Sequence, residues 1–459
     1  MSVNSNIFKA YDIRGIYPDE INEEAAYKIG QAFVSYLESK SRIGGRRLIV
    51  GYDTRLSSES LAEAVIQGLI DSSIDAISIG LSSTPNFYFA VGSSNTDGGI
   101  MITASHLSKD YNGLKIVFGG NTPLNQEEII ELKNLVLSRK FEIRPAGNLI
   151  KKDFAPKYVN SIKNFHKIPF KPLKVVMDAS NGMAGLYAEK IFAGTRINLI
   201  PIFFELDGNF PNHEADPKIP ENRAKLVERI KKEGADLGFM FDGDADRAYA
   251  FDRNGEVIDP SLVSALVAEF LIKNSSKNKI VVEVRTSNVV RDWVEKIGGK
   301  VEVSSCWTIP IKLKMKSDPQ IIFGSETSGH YIFADFYKID DGILCAFNFL
   351  QAISAKEKSI IEIIKEFKEK YFIIEETNFE IADKEKIAEI LEKLEKKYFS
   401  EGGKIVKIDG LTVEFTDWWF NLRKSNTEPL ARLNIEANSE KLLFQKRIEL
   451  SDFLKSMSK

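Results

Sequence analysis

Three observations predict an α/β protein, made of three similar mixed α/β domains and a C-terminal α+β domain. The first is a pattern that occurs three times: an apolar strand ending in an acidic residue, a short polar turn, a helix, and a second apolar strand. The second is a change of order after about Lys370, where a strand, a long charged helix and three further strands precede a last helix. The third is size, since 459 residues, 43% of them hydrophobic, suffice for several packed cores when domains run ~100–200 residues.

The first copy is RRLIVGYDTRLSSESLAEAVIQGLI followed by DAISIG, the second LKVVMDASNGMAGLYAEKIF followed by INLIPIF, and the third NKIVVEVRTSNVVRDWVEKI followed by GKVEVSS. Their acids are Asp53, Asp178 and Glu283. Strand–helix–strand alternation predicts βαβ units, whose ligands gather at the carboxyl ends of strands. The C-terminal order is strand YFIIEETNFEI, helix DKEKIAEILEKLEKKYF, then strands KIVKIDGLTVEF, WWFNLRKS and LARLNIEA, which suits an antiparallel sheet. The resulting domains are 1–150, 151–255, 256–369 and 370–459. The lysine/glutamate helix reads as a solvated face.

Composition narrows the function. Net charge is −3 and no basic block stands out, which argues against a nucleic-acid partner. No stretch approaches the ~18 apolar residues of a membrane span. The longest candidate, Ile343 to Ala355, carries Asn348 and Gln351. The N-terminal residues lack a secretory apolar core, and Cys306 and Cys345 form neither a CxxC pair nor a disulfide framework, so a reducing cytoplasmic location is expected.

Four motifs carry chemistry. In FMFDGDADR the strand Leu237 to Phe241 runs into Asp242, Asp244 and Asp246, with Arg247 next. Three carboxylates aimed at one point need a cation, and hard oxygen ligands suit Mg²⁺. An EF-hand is excluded, because its sixth and twelfth positions hold Arg247 and Arg253. A phosphatase with an aspartyl nucleophile fits less well, because Asp246 stands at the fifth position of its motif. In GGIMITASHLSKDYNGLK the strand Ile100 to Ile102 delivers Thr103, Ala104, Ser105 and His106 to a loop; Asn112-Gly113 is read as a tight turn, followed by Lys115. A serine nucleophile or phosphate carrier needs a base or charged partner, for which His106 and Lys115 are candidates. In GSETSGHYIF, Glu326 and Ser328 are expected to point the same way from an extended segment, toward two sugar hydroxyls; His330, taken alone, reads as a buried, satisfied histidine. In NLRKSNTEPLARL, Arg423, Ser425, Asn426 and Thr427, with Arg432 nearby, offer a guanidinium and short donors to a phosphate dianion. The Gly182–Gly185 loop lacks G-x-G-x-x-G spacing, and no Walker A or zinc pattern occurs.

Together these loops resemble the α-D-phosphohexomutase family, over essentially the whole chain and in order. The family's serine loop stands here as TASHLSKDYNGLK, its metal loop as DGDADR, its sugar loop as SETSGH and its phosphate loop as RKSNTEP; FKAYDIRG, with Tyr11 and Arg14, and DGNFPNHEADPKIPEN also match. The resemblance implies four domains around a central cleft, and a phosphate carried on Ser105. It implies Mg²⁺ on Asp242, Asp244, Asp246 and a Ser105-borne oxygen, with Lys115 and Arg247 as charge partners. Further implications are Glu326, Ser328 and His330 on the sugar, Arg423, Ser425, Asn426, Thr427 and Arg432 on its phosphate, and Tyr11 and Arg14 near the phosphate, with Arg285 a further candidate site residue. The expected reaction moves phosphate between C1 and C6 of a mannose or glucose phosphate through a hexose 1,6-bisphosphate, in a monomer or homodimer. Phosphoglucosamine mutase is the alternative, although Asn426 leans away from it; a hydrolase or a non-catalytic sensor ranks below. Leu107 and Ser108 replace the usual Asn-Pro, Ser325 replaces a Gly, and the Cys306–Lys316 loop lacks the family's usual glycine, so the reaction is better indicated than the sugar.

Overall fold

The computed structural model describes residues 3–138, 141–142, 144–165, 168–381, 384–425 and 430–458. The chain divides into two compact units. One comprises Met1–Ile258, Met315–Ser317 and Ser328–Ala355; the other comprises Asp259–Lys314, Asp318–Thr327 and Lys356–Lys459.

The first unit holds two sheets. In the larger, strands run in the order Ile13–Ile16, Tyr111–Phe118, Gly98–Ile102, Arg47–Tyr52, Asp75–Leu81 and Leu149–Lys151. Arg47–Tyr52 pairs in parallel with both neighbours, whereas Tyr111–Phe118 is antiparallel to both of its own. The helix Glu23–Ser39 buries Ile29, Phe33 and Leu37 at four-residue spacing, and Ser58–Ile70 buries Leu61, Val65 and Leu69 in the same core. In the smaller sheet the order is Ala248–Asp252, Leu237–Phe241, Lys174–Asp178 and Asn198–Ile202. Every residue of Leu237–Phe241 is buried, as a continuous apolar run in a sheet covered on both faces requires. The apolar stretch near Ile343 is the helix Gly342–Ser354. It is capped by Asp341, whose side chain accepts from the Leu344 N–H, and Phe349 packs edge-on against Phe239. No helix among the described residues is long and apolar enough to cross a membrane.

In the second unit, Lys300–Ser304, Lys279–Glu283 and Ile321–Ser325 lie parallel, in that order. A fully antiparallel sheet follows, ordered Phe372–Glu380, Leu430–Ala437, Trp418–Lys424, Leu411–Glu414 and Lys404–Val406. The helices Lys384–Ser400 and Glu440–Ser458 contribute Ile390, Leu394, Leu450 and Leu454 to its core.

All three predicted strand–helix–strand repeats form, the second with its helix reduced to a 3₁₀ turn at Met183–Leu186 and a short helix at Ala188–Phe192. Two local readings are corrected. KIVKIDGLTVEF is a hairpin rather than one strand, because Gly410 takes φ 71° and turns the chain back. Asn112 and Gly113 are not a turn: they lie inside Tyr111–Phe118, paired with Gly15 and Arg14. The Asn112 amide donates to Ser57 and Ser58 hydroxyls at 2.8 and 3.0 Å, a tertiary use that overrides the turn preference of Asn-Gly.

Candidate active site

Two groups of predicted residues assemble, one in each unit. In the first unit the strands Gly98–Ile102 and Leu237–Phe241 end at the serine loop and the triple-aspartate loop. A side chain at Gly243 would place its Cβ 2.6 Å from the Ser105 carbonyl oxygen, so glycine between the aspartates is what lets the loops touch. Ser105 Oγ donates to Asp242 Oδ2 at 2.9 Å and lies 3.4 Å from His106 Nδ1. Ser105 itself sits at φ 51°, a left-handed backbone that costs energy for a residue with a Cβ. Two contacts hold it there: its N–H donates to Thr103 Oγ1 at 2.9 Å, and its carbonyl accepts from Arg55 at 2.8 Å.

Asp242, Asp244 and Asp246 are buried and each brings one oxygen within 4.8 Å of the others. Lys115 Nζ bridges Asp244 Oδ2 at 2.7 Å and Asp246 Oδ2 at 2.5 Å. Asp244 Oδ2 also accepts from Thr84 Oγ1 at 2.6 Å. The opposite oxygen of Asp244, Oδ1, is buried with no hydrogen-bond donor among the described residues, and Asp246 Oδ1 lies 3.4 Å from His330 Nε2. Buried acceptors left without donors are costly, and a divalent cation answers that need, so the donor set fits Mg²⁺. Burial and the neighbouring charges of Asp246 and Asp244 hold the Asp242 carboxyl well above the usual range. Burial also opposes the charge on Asp246, but Lys115 outweighs it and the carboxyl lies well below its usual range. Lys115 is likewise opposed by burial and raised well above the ordinary lysine value by Asp244 and Asp246. Burial, then the positive charges of Arg247 and Arg14, keep His106 well below its usual value.

Arg247 Nε donates to His330 Nε2 at 3.2 Å and lies 3.6 Å from Asp242 Oδ2. His330 Nδ1 is 2.9 Å from Ser328 Oγ. His330 Nε2 also lies 3.4 Å from Asp246 Oδ1, so His330 is a buried, bonded histidine beside the metal loop. The segment around Ser328 is not extended: Thr327 and Ser328 form a turn and Gly329 has φ 88°, so alternation along a strand does not govern it. Arg14 lies on the strand Ile13–Ile16, 3.6 Å from Asp12, and Tyr11 in the bend before it.

The second unit gathers the arginines. Arg423 and Arg432 face each other directly across adjacent strands. Arg423 Nη2 donates to Glu376 Oε2 at 2.7 Å, and Arg432 Nη1 to Glu376 Oε1 at 3.1 Å. Arg285 makes two bonds to Glu283, at 2.7 and 2.8 Å, and a third to Glu376 at 3.3 Å. Glu283 is opposed by burial, yet Arg285 draws its carboxyl down to about 2. Ser425 is buried, its N–H donating to the Leu430 carbonyl at 2.8 Å. Glu326 is buried at the end of Ile321–Ser325. Asn426 and Thr427 lie outside the described residues.

The structure adds residues that the sequence reading missed. Arg55, 2% exposed, donates to the carbonyls of Ser105, Leu107, Ser108 and Tyr111 at 2.6–2.9 Å and so grips the serine loop from beneath. The DTR sequence just after a strand end was a signal available for it. Thr84 carried none, since only tertiary packing brings it to Asp244. The strand-end acids prove structural: Asp53 binds Ser58 and the Arg55 backbone, and Asp178 binds His213 at 3.1 Å.

Comparison with known proteins agrees with this geometry. Family models described as phosphoglucomutase/phosphomannomutase alpha/beta/alpha domains I, II and III match residues 5–142, 156–255 and 259–371, and the C-terminal domain of that family matches 376–447. The chain therefore belongs to the phosphoglucomutase/phosphomannomutase family of α-D-phosphohexomutases. It is 35% identical to a phosphomannomutase of Vibrio cholerae, over 96% of each chain. It is 34% identical to a phosphoglucomutase of Neisseria gonorrhoeae, over 96% of this chain and 94% of that one. A crystal structure of a phosphoglucomutase/phosphomannomutase family protein from Burkholderia thailandensis superposes with a TM-score of 0.90 at 30% identity, covering 99% of this chain and 98% of that one.

Proposed function

We propose that this protein is a phosphohexomutase that moves phosphate between C1 and C6 of a glucose or mannose phosphate, with Ser105 as the phosphate carrier. The observation that carries the reading is Ser105 Oγ lying 2.9 Å from Asp242 in a buried three-aspartate cluster, in which Asp244 Oδ1 has no donor among the described residues. Asp242, Asp244 and Asp246, with the oxygen on Ser105, would hold Mg²⁺. When bound, the ion supplies charge neutralisation to the transferring phosphoryl group.

The chain's own residues do the rest. In the forward step the bond between phosphorus and Ser105 Oγ breaks, a bond from phosphorus to the sugar hydroxyl oxygen forms, and that hydroxyl's proton passes to a base, for which His106 and Lys115 are the candidates. Lys115 and Arg247 balance the negative charge of the transferred group. On the dephosphorylated enzyme Ser105 Oγ donates to Asp242 Oδ2 and has His106 Nδ1 3.4 Å away, which supports His106, beside Lys115, as a candidate for the serine proton in the return step. Arg423, Arg432, Arg285 and Ser425, with Asn426 and Thr427, hold the phosphate already on the sugar, while Glu326, Ser328 and His330 serve the sugar itself. The hexose 1,6-bisphosphate turns end for end between the two transfers. The division 1–150, 151–255, 256–369 and 370–459 gives the serine loop, metal loop, sugar loop and phosphate loop a domain each. A cytoplasmic setting is supported by Cys306 and Cys345, which are both buried and unbridged.

The test is the intact mass of the purified protein before and after glucose 1,6-bisphosphate, with initial rates on glucose, mannose and glucosamine phosphates. One phosphoryl group on the Ser105 peptide, absent in Ser105→Ala together with turnover, is the expected result. Turnover retained by Ser105→Ala refutes the carrier role.

A further inference from the structure

Glu376 stands at the meeting point of the three arginines assigned above to the sugar's phosphate. Oε2 accepts from Arg423 at 2.7 Å and from Arg285 at 3.3 Å, and Oε1 accepts from Arg432 at 3.1 Å. Its placement is built into the strand. Pairing of Phe372–Glu380 with Leu430–Ala437 shifts register between Ile374 and Thr377, and such an irregularity re-aims a side chain. The surroundings need a counter-ion, because Arg423 and Arg432 are directly opposed in register and like charges so placed repel. Glu283 neutralises Arg285 through two bonds, so Glu376 is the carboxylate serving Arg423 and Arg432. Two carboxylates against three guanidiniums leave one net positive charge. Arg423 Nε is buried without a hydrogen-bond partner among the described residues.

A carboxylate and a phosphate present the same feature to a guanidinium: two oxygens able to take parallel N–H bonds. We propose that Glu376 is an internal competitor for the substrate's phosphate, a carboxylate seated where that phosphate binds, which sets the affinity of the arginine cluster low enough for phosphate to leave. The inference rests on reading Arg423, Arg432 and Arg285 as the phosphate clamp. It answers a requirement of the proposed reaction, in which the clamp must release one phosphate of the bisphosphate and accept the other. Without Glu376, Arg423 and Arg432 would stand uncompensated and would hold a dianion too firmly for that exchange. With Glu376 in place, the entering phosphate displaces or shares one carboxylate, and the same carboxylate returns as the phosphate departs.

Calorimetric titration of inorganic phosphate into the full chain tests this, alongside initial-rate kinetics. Glu376→Gln keeps the shape and removes the charge, and is expected to bind phosphate about tenfold more tightly or better. Its KM for the hexose phosphate should fall, and kcat should fall with it as release slows. Glu376→Asp keeps the charge and should restore values near those of the native chain. Arg423→Ala should abolish the same binding. Unchanged or weaker phosphate binding by a folded Glu376→Gln, with binding lost in Arg423→Ala, overturns the competitor role and leaves the clamp standing. Phosphate binding that survives Arg423→Ala refutes the clamp itself. Should Glu376→Gln not fold, Glu376→Ala is measured in its place with the same expectation, and failure of both to fold assigns Glu376 to stability and overturns the proposal.

Discussion

Replacing Arg55 with lysine tests whether the serine loop is shaped from beneath. Arg55 donates to four carbonyl oxygens, those of Ser105, Leu107, Ser108 and Tyr111, and its Nε lies 3.3 Å from Asp53 Oδ2. Lysine keeps the charge but has one nitrogen, which cannot reach carbonyls that the planar guanidinium spans with two. Losing two such bonds, each worth about 1.5 kcal/mol because the donor is charged, costs about 3 kcal/mol. For a domain of this size that corresponds to a melting point lower by about 6–12 °C. The catalytic effect is larger in proportion. Ser105 holds φ 51° only while its carbonyl and N–H are tied, and an ångström of misplacement at a reacting atom costs about 10²-fold in rate. Arg55 touches no reacting atom, so the loss should fall on kcat with KM nearly unchanged. Differential scanning fluorimetry and steady-state kinetics on Arg55→Lys measure both quantities. A variant with native kcat and an unshifted melting point refutes the argument.

Three further outcomes follow from the geometry. Chelation should abolish phosphoryl transfer and Mg²⁺ should restore it; Mg²⁺ should also raise the melting point of the native chain but not of Asp244→Asn, whose lost charge weakens the site. Glu436, 3% exposed, has its carboxyl pushed up to about 7 by burial, against donors from Ser287, Trp419 and Asn288. The folded state then binds more protons than the unfolded one between about pH 4.5 and 7, so this group removes about 3 kcal/mol of stability as pH rises through that window. Glu436→Gln should therefore melt above the native chain at pH 8 and alongside it at pH 5; an equal difference at both values would show that Glu436 does not titrate there. Lys115→Met should lose activity by about 10²-fold or more and bind Mg²⁺ differently, because the cation bridging Asp244 and Asp246 is gone; unchanged kinetics would exclude Lys115 from charge balance.

What the sequence alone determined was whatever depends on neighbours along the chain. The three strand–helix–strand repeats were legible because burial on one or both faces of a sheet forces a period, and Leu237–Phe241 shows it as an unbroken apolar run. Ser105 and the three aspartates were legible because each set lies within one loop at a strand end, where several groups of one chemistry stand only a residue or two apart. The motif at Arg423 was legible for the same reason. Tertiary structure decided which distant residues complete these loops. Arg55 reaches the serine loop across 50 residues of chain, Thr84 reaches Asp244 across 160, and Glu376 reaches Arg423 across 47. None is flagged by its own neighbours, because an isolated arginine, threonine or glutamate is ordinary until packing removes its water. Asn112-Gly113 shows the converse, a local turn signal overruled when two buried serine hydroxyls and a strand partner claim the same residues. Local chemistry thus named the groups that assemble at the candidate site. Burial, which exists only once the chain has folded, chose the partners that hold them in place and set their charge.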